Sequence, residues 1–319
     1  MKNLRIVFMG TPQFASYILN KMCDSGANVV AVVTAPDKPA GRGRKVKSSD
    51  VKLIAESFNI PVLQPDNLKD PQFISQLKKY KADLQVVVAF RMLPEVVWSM
   101  PSKGTFNLHA SLLPQYRGAA PINHALINGE KQTGVTTFFI DHKIDTGNII
   151  KQETVAIEDD DNAGTLHNKL MEKGAFLVVE TVKDIAADKV ETLSQKSIEV
   201  KELKFAPKIF RDDCKIEWDS NVETVQNKIR GLSPYPGAWT LMYVPDEENS
   251  INFKIFSSSI VKRDDLAAGE LSISQDGNLI VGCANGALKI IELQPAGKKR
   301  MLTNDFLKGY RVKSGTFFK

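Results

Sequence analysis

LRIVFMGTPQFASYILNKM, residues 4 to 22, decides the fold. Leu4 to Gly10 is an apolar, β-rich run. Pro12 follows, with the fixed φ that suits a helix start, and Phe14, Ile18 and Met22 then recur at helical spacing. The stretch predicts a strand, a tight turn at Gly10 and a helix. NVVAVVT (28 to 34) and DLQVVVAF (83 to 90) are two more strands whose apolar residues run on without alternating, as strands buried on both faces require. Spacing and cap signals place helices at 50 to 58 and 71 to 80 between them. Strands alternating with helices in this way predict a doubly wound, mostly parallel α/β sheet. GTPQFA lacks the second and third glycines of a dinucleotide-binding turn, so no backbone there can approach a pyrophosphate closely.

GVTTFFID (134 to 141) and NIIKQETVAI (148 to 157) add strands, and a helix over 163 to 187 closes a first domain, 1 to 188. Residues 189 to 208 show neither strong periodicity nor a clear apolar face and read as a linker. In 209 to 319 a helix at 220 to 231 precedes five short β runs, AWTLMYV, INFKIFSS, ELSIS, NLIVGCA and ALKIIEL, which suggest a small β-barrel of the oligonucleotide-binding (OB-like) type.

The bulk numbers exclude several classes. With 319 residues, 43% hydrophobic and 25% charged, the chain is an ordinary globular protein with room for two domains. No segment approaches the ~18 apolar residues of a membrane span, and the N-terminal apolar run is too short for a signal peptide. Three scattered cysteines form no CxxC pair and fit a reducing cytoplasm. A net charge of +5 favours a polyanionic partner if the excess is clustered. It is clustered in sequence: PDKPAGRGRKVK (36 to 47) carries Lys38, Arg42, Arg44, Lys45 and Lys47 against Asp37, and residues 298 to 319 carry seven Lys/Arg against one Asp. Two prolines and two glycines should keep 36 to 47 irregular, and its five cations read as phosphate contacts.

The chemistry gathers in TFNLHASLLPQYRGAAP, 105 to 121. A strand period of two puts Asn107 and His109 on one face, and Pro114 and Gly118 force a loop directly after it. A second polar cluster, Asp141 to Gly147, ends a neighbouring strand. The histidines at 109, 124, 142 and 167 make no HxH or HxxxH pair, which argues against a metal site, and Ser111 follows no GxSxG elbow. An Asn, a His and an Asp without a covalent nucleophile suit direct acyl transfer. Asn donates to an oxyanion, His donates or shuttles a proton, and Asp145 orients the His or takes a proton from an attacking amine.

NLHASLLPQYRGAAPI, DHKIDTG, FMGTPQFA, PDKPAGRGRK and GLSPYPGAW (231 to 239) together resemble the methionyl-tRNA formyltransferases, in order and over essentially the whole chain. The resemblance implies a Rossmann-like formyltransferase fold with an OB-like second domain that grips the tRNA acceptor arm. It assigns Asn107, His109 and Asp145 to catalysis and Ser111, Leu112, Leu113 and Pro114 to the site of 10-formyltetrahydrofolate, the formyl donor and co-substrate. It gives the backbone near Arg91, Met92 and Leu93, with the loop from Asp141 to Asp145, the pterin ring. It directs Arg42 to the end of the acceptor stem of the partner, initiator methionyl-tRNA, for a reaction in translation initiation that needs no metal. Two departures bear on the folate pocket: Phe90-Arg91-Met92 stands where a Tyr-Gly pair is usual, and Lys143 replaces a glycine, so that loop is expected to take a different path. The same core serves enzymes acting on glycinamide ribonucleotide, on a nucleotide-linked amino sugar, and hydrolases that release formate. The amino-sugar transferase is the second reading, disfavoured by the basic loop, and a catalytically silent tRNA-binding module is disfavoured by Asn107, His109 and Asp145. With no unusually apolar surface segment, a monomer is expected.

Overall fold

The computed structural model describes residues 3–40 and 45–319. The chain divides into two compact units that do not follow chain order. The first comprises Met1–Gly118, Thr133–Val155 and Asn168–Phe205, the second Ala119–Gln132, Ala156–His167 and Ala206–Lys319.

A seven-stranded sheet dominates the first unit: β1 (Ile6–Gly10), β2 (Val29–Val33), β3 (Val62–Leu63), β4 (Leu84–Val88), β5 (Thr105–His109), β6 (Gln132–Phe139) and β7 (Ile149–Ala156), in the order β7-β6-β5-β4-β1-β2-β3. β1 pairs in parallel with β2 and β4, β2 with β3, and β4 with β5; β6 lies antiparallel to β5. The continuous apolar runs are buried on both sides, as every residue of β1 and β4 shows. On one face Val7, Met9, Ala31, Val33 and Val87 pack with Phe73 and Leu77 of α3 (Pro71–Lys79) and with Leu93 and Val97. Ile6 and Phe8 alternate with these and point to the other face.

Local chemistry sets the helix starts. α1 (Gln13–Asp24) follows Pro12, and α2 (Asp50–Ser57) starts where the Ser49 hydroxyl accepts from Lys52 N at 3.1 Å. Asp70 accepts from Gln72 N at 2.8 Å, with Pro71 in the first turn of α3. The two-residue β3 and the single-turn helix α4 (Glu95–Trp98) are too short to leave a periodic signal, and the sequence did not announce them.

The basic segment departs from its expected irregularity. Lys38–Ala40 pairs antiparallel with Lys45–Lys47, putting Lys38 opposite Lys47. Two short extended runs meet here; the residues between them, Arg42 and Arg44 among them, lie outside the described ones. Residues 189 to 205 are no free tether either: Leu193 bridges Ile149, a 3-10 turn spans Gln195–Ser197, and Ile198 packs on Leu113, Phe138 and Ile149.

In the second unit α5 (Pro121–Ile127) lies against α7 (Val222–Leu232) so closely that a Cβ on Gly231 would sit 2.7 Å from Ile127. The five expected strands are present as Ala238–Tyr243, Ile251–Val261, Leu271–Ile273, Leu279–Cys283 and Gly286–Pro295. Met301–Leu302 and Phe317–Phe318 join them, and the last nearly closes the barrel: Phe318 N donates to Gly269 O at 2.8 Å and Leu271 N to Thr316 O at 3.1 Å. Val222, Val225, Ile229 and Leu232 of α7 enter the same core as the inward residues of these strands. Among the described residues no helix is long and apolar enough to cross a membrane.

Gly10 has a packing role that a tight turn alone would not give. It has no positive φ and ends β1 opposite Val88, but a Cβ there would stand 2.5 Å from that of Ala15 and 2.9 Å from Val88 O. Backbone cannot swing aside as a side-chain tip can. Gly10→Ala is therefore expected to destabilise the protein by about 1–3 kcal/mol, read as a fall of several degrees in the thermal midpoint; an unchanged midpoint would refute the close approach.

Candidate active site

β5 divides its residues between two environments. Leu108 faces α6 (Ala163–Ala186), where its side chain lies 2.7 Å from a Cβ built on Gly174, and its partner Thr137 bonds Thr181 of α6 at 2.9 Å. Asn107 and His109 therefore face the other side, with Phe138 and Thr136 as cross-strand neighbours.

His109 is held at both ring nitrogens. Nε2 lies 2.8 Å from Tyr116 O, and because a carbonyl only accepts, Nε2 carries a proton. Nδ1 lies 3.8 Å from Asp145 Oδ2, within ion-pair reach and beyond a direct hydrogen bond. The ring is buried, 7% exposed, beside a carboxylate that is 13% exposed. Gly118 N donates to the same Asp145 oxygen at 3.0 Å. Asn107 Oδ1 is buried and has no hydrogen-bond partner among the described residues. Leaving such an atom unmet costs about 1–3 kcal/mol, which a bound donor would recover.

The antiparallel β6 changes how Asp145 arrives. Phe139 pairs with Phe106, so the loop leaving β6 starts three residues, roughly 10 Å, short of His109 and doubles back to it. Two backbone features allow this. Gly147 admits no side chain, since a Cβ would lie 1.7 Å from Phe139 O, and Asp145 adopts φ 55°. Positive φ falls on Asp145 and not on Lys143, so the glycine-to-lysine departure imposes no strain. Asp141 is exposed and shapes this loop, accepting from Lys143 N at 2.9 Å and Thr146 Oγ1 at 2.8 Å.

Ser111 is fully buried and donates to Gln115 O at 2.6 Å. Leu113 and Pro114 are buried, and Leu112 touches Gly134. Residues the sequence reading missed support this loop: Thr136 Oγ1 donates to Ser111 O at 2.6 Å and accepts from Leu113 N at 3.1 Å, and Gln152 Nε2 donates to Leu113 O at 2.9 Å. Their partners are backbone groups, so no residue pattern marks them. Leu93 belongs to the core of the sheet. Arg91 spends its guanidinium on the carbonyls of Asp66, at 2.6 Å, and Pro65. Met92 is 76% exposed and Ile144 64%. The segments carrying these two apolar side chains meet through His142, whose ring contacts Trp98 edge-on and lies 3.7 Å from Glu95.

No cysteine competes as nucleophile. All three are free thiols, and burial pushes Cys23 up to about 11, Cys283 up to about 12, and Cys214 upward as well. Among the described residues no group of three His, Cys, Asp or Glu could hold a metal ion.

In the basic ribbon Lys38 and Lys47 are exposed. Asp37, the one acid in that stretch, is already engaged: hydrogen bonds from Lys52 and Gln64 hold its carboxyl below the usual range. The C-terminal basic cluster is less free than its composition implies, because Arg300, Lys308 and Lys313 pair with Glu292, Asp305 and Glu247.

Comparison with known proteins covers both units. Residues 4–182 match the family model "Formyl transferase" and 208–311 the model "Formyl transferase, C-terminal domain". The chain is 51% identical to a methionyl-tRNA formyltransferase of Bacteroides thetaiotaomicron over 98% of each chain, and 49% identical to one of Flavobacterium johnsoniae over 97% of each. In fold it is similar to a sugar 3N-formyl transferase solved with dTDP and 5-N-formyl-THF, at TM-score 0.63 and 21% identity over 93% of this chain and 99% of that one. It is also similar to HypX from Aquifex aeolicus, at TM-score 0.65 and 17% identity over 98% of this chain and 50% of that one. With matches of about 50% identity running through both domains, the chain belongs to the methionyl-tRNA formyltransferase family.

Proposed function

We propose that the protein formylates the amino group of initiator methionyl-tRNA, using 10-formyltetrahydrofolate as donor, in the cytoplasm at the start of translation. The full-length relatives named for this reaction support the substrate class. The single structural observation that carries the mechanism is the row on one face of β5: Asn107 with an unmet buried amide oxygen, then His109 pinned between Tyr116 and Asp145.

In this mechanism the neutral methionyl amine attacks the formyl carbon directly. Asn107 Nδ2 donates to the formyl oxygen as charge develops there, and Asn107 Oδ1 accepts an N–H of the incoming amine, which meets the atom's missing partner. His109, protonated at both nitrogens, stabilises the oxyanion through Nδ1. Asp145 holds that imidazolium and takes the amine proton, directly or through a water; the tetrahedral intermediate then collapses as the bond from the formyl carbon to N10 of the folate breaks, and the proton passes to N10 so that tetrahydrofolate leaves. Ser111 cannot attack, because its hydroxyl is buried and donated to Gln115 O. The donor's ring system suits the exposed Met92 and Ile144, with Leu93 and the loop backbone of 111 to 114 and 141 to 145 around it, the backbone supplying hydrogen bonds that side-chain substitutions such as Lys143 leave in place. Lys38 and Lys47, with Arg42, Arg44 and Lys45 of the same segment, contact tRNA phosphates.

Two sets of variants test this. Asn107→Ala and His109→Ala should each lower kcat about 100- to 1000-fold, the effect of losing one oxyanion donor, in formylation assays on purified protein. A folded variant with near-normal turnover would remove that residue from the mechanism. Replacing Lys38 and Lys47 together by alanine should raise KM for methionyl-tRNA several-fold, leave KM for the folate donor within about twofold, and flatten the salt dependence of log(kcat/KM) by roughly one to two units of slope. Equal shifts in both KM values would instead tie the ribbon to the folate site.

A further inference from the structure

Gln195 lies in the segment that carried no periodic signal, yet it is only 4% exposed and every hydrogen-bonding position of its amide is used. Nε2 donates to Asp145 O at 3.0 Å and to Gly147 O at 2.8 Å. Oε1 accepts from Arg117 Nε at 3.0 Å and Nη2 at 2.6 Å. The orientation is unambiguous, because carbonyls cannot donate and a guanidinium cannot accept. Two donors and two lone pairs meet four partners.

These partners belong to the two loops that hold His109. Asp145 faces Nδ1 from one loop, and Arg117 follows Tyr116, whose carbonyl receives Nε2–H, in the other. Gly118 N reaches across to Asp145 Oδ2, so the loops also touch directly. Two of the residues involved are conformationally costly: Asp145 has φ 55° and Tyr116 φ 60°. Such positions persist only where surrounding contacts over-determine them.

We propose that Gln195 is a positioning residue for formyl transfer, clamping the Asp145 loop to the Tyr116–Gly118 loop so that His109 is held at both nitrogens at once. This rests on the assignment of Asn107, His109 and Asp145 above. Gln195 touches neither substrate in this role, so its removal acts on turnover and leaves methionyl-tRNA binding in place.

Gln195→Glu separates the two halves of the clamp. It keeps an acceptor, now charged, for Arg117, but sets a carboxylate oxygen against the carbonyls of Asp145 and Gly147. Steady-state kinetics on the full chain should show kcat lowered about 10- to 100-fold in both Gln195→Glu and Gln195→Ala, with KM for methionyl-tRNA within about twofold. Because the clamp works through Asp145, combining Gln195→Ala with Asp145→Asn should cost little more than Asp145→Asn alone. Multiplying losses in that cycle would mean that Gln195 serves general stability and would overturn the proposal. Arg117→Ala, which leaves the buried amide in place, covers the case in which alanine at 195 prevents folding: it should give a smaller loss of the same kind, in kcat and not in KM for methionyl-tRNA. Asn107→Ala and His109→Ala run beside these variants. If those two lose turnover while the Gln195 and Arg117 variants keep it, the clamp alone falls; if those two keep turnover as well, the site assignment falls first.

Discussion

The imidazole of His109 faces two acceptors, a carbonyl at Nε2 and, 3.8 Å from Nδ1, a carboxylate that favours positive charge near it. Satisfying both at once fixes the ring in position and keeps a proton on Nε2. Neither partner is local to β5, so the constraint spreads outward: Tyr116 must turn its carbonyl back through a left-handed residue, and the loop after β6 must double back over the sheet. Buried strands, apolar but for Gln85, give a rigid base for this, and the loops carry the adjustable chemistry.

Both loops are tied from behind by groups that touch no reacting atom. Thr136 and Gln152 hold the chain at Ser111 and Leu113, while Gln115 exchanges hydrogen bonds with the backbone of Glu202 and Lys204. Tyr116 N donates to Lys204 O at 2.7 Å. Residues 193 to 205 thus belong mechanically to the first unit, even though their composition reads as a linker. A polar side chain bonded to backbone is cheap to keep buried when all its capacity is used, which explains why neutral glutamines serve here.

Much of the fold was legible because its signals are periodic. Continuous apolar runs marked β1, β2 and β4, and five β runs in the second unit appeared where turn residues punctuate them. The period-two reading of TFNLH placed Asn107 and His109 together on one face, where they stand. What sequence could not carry was tertiary: the ribbon from Lys38 to Lys47 forms in a stretch rich in Pro and Gly because two short runs find each other, and Phe317–Phe318 is a strand only because a barrel edge receives it. The sheet support of Gly10 was also hidden, since its need arises from Ala15 and from Val88, far along the chain. Gln195 lies fifty residues from Asp145, and its partners on that loop are carbonyls that any residue could supply.

In the proposed mechanism an Asn, a His and an Asp require of the acceptor only an accessible amine, so the row on β5 by itself cannot choose among amines. That is why a fold shared with a sugar 3N-formyl transferase at 21% identity says little about substrate. Selectivity on this reading must come from outside the row on β5. An acceptor that is a nucleic acid carries a line of phosphates, and recognising it needs cations held clear of neutralising acids. The ribbon meets that requirement in a specific way: Lys38 and Lys47 stand directly opposite each other, a like-charge pair that costs folding energy in isolation, and Asp37, the nearest acid in sequence, is already occupied by Lys52 and Gln64. Two exposed cations side by side, with no acid of their own segment left to neutralise them, suit an anion lying across them.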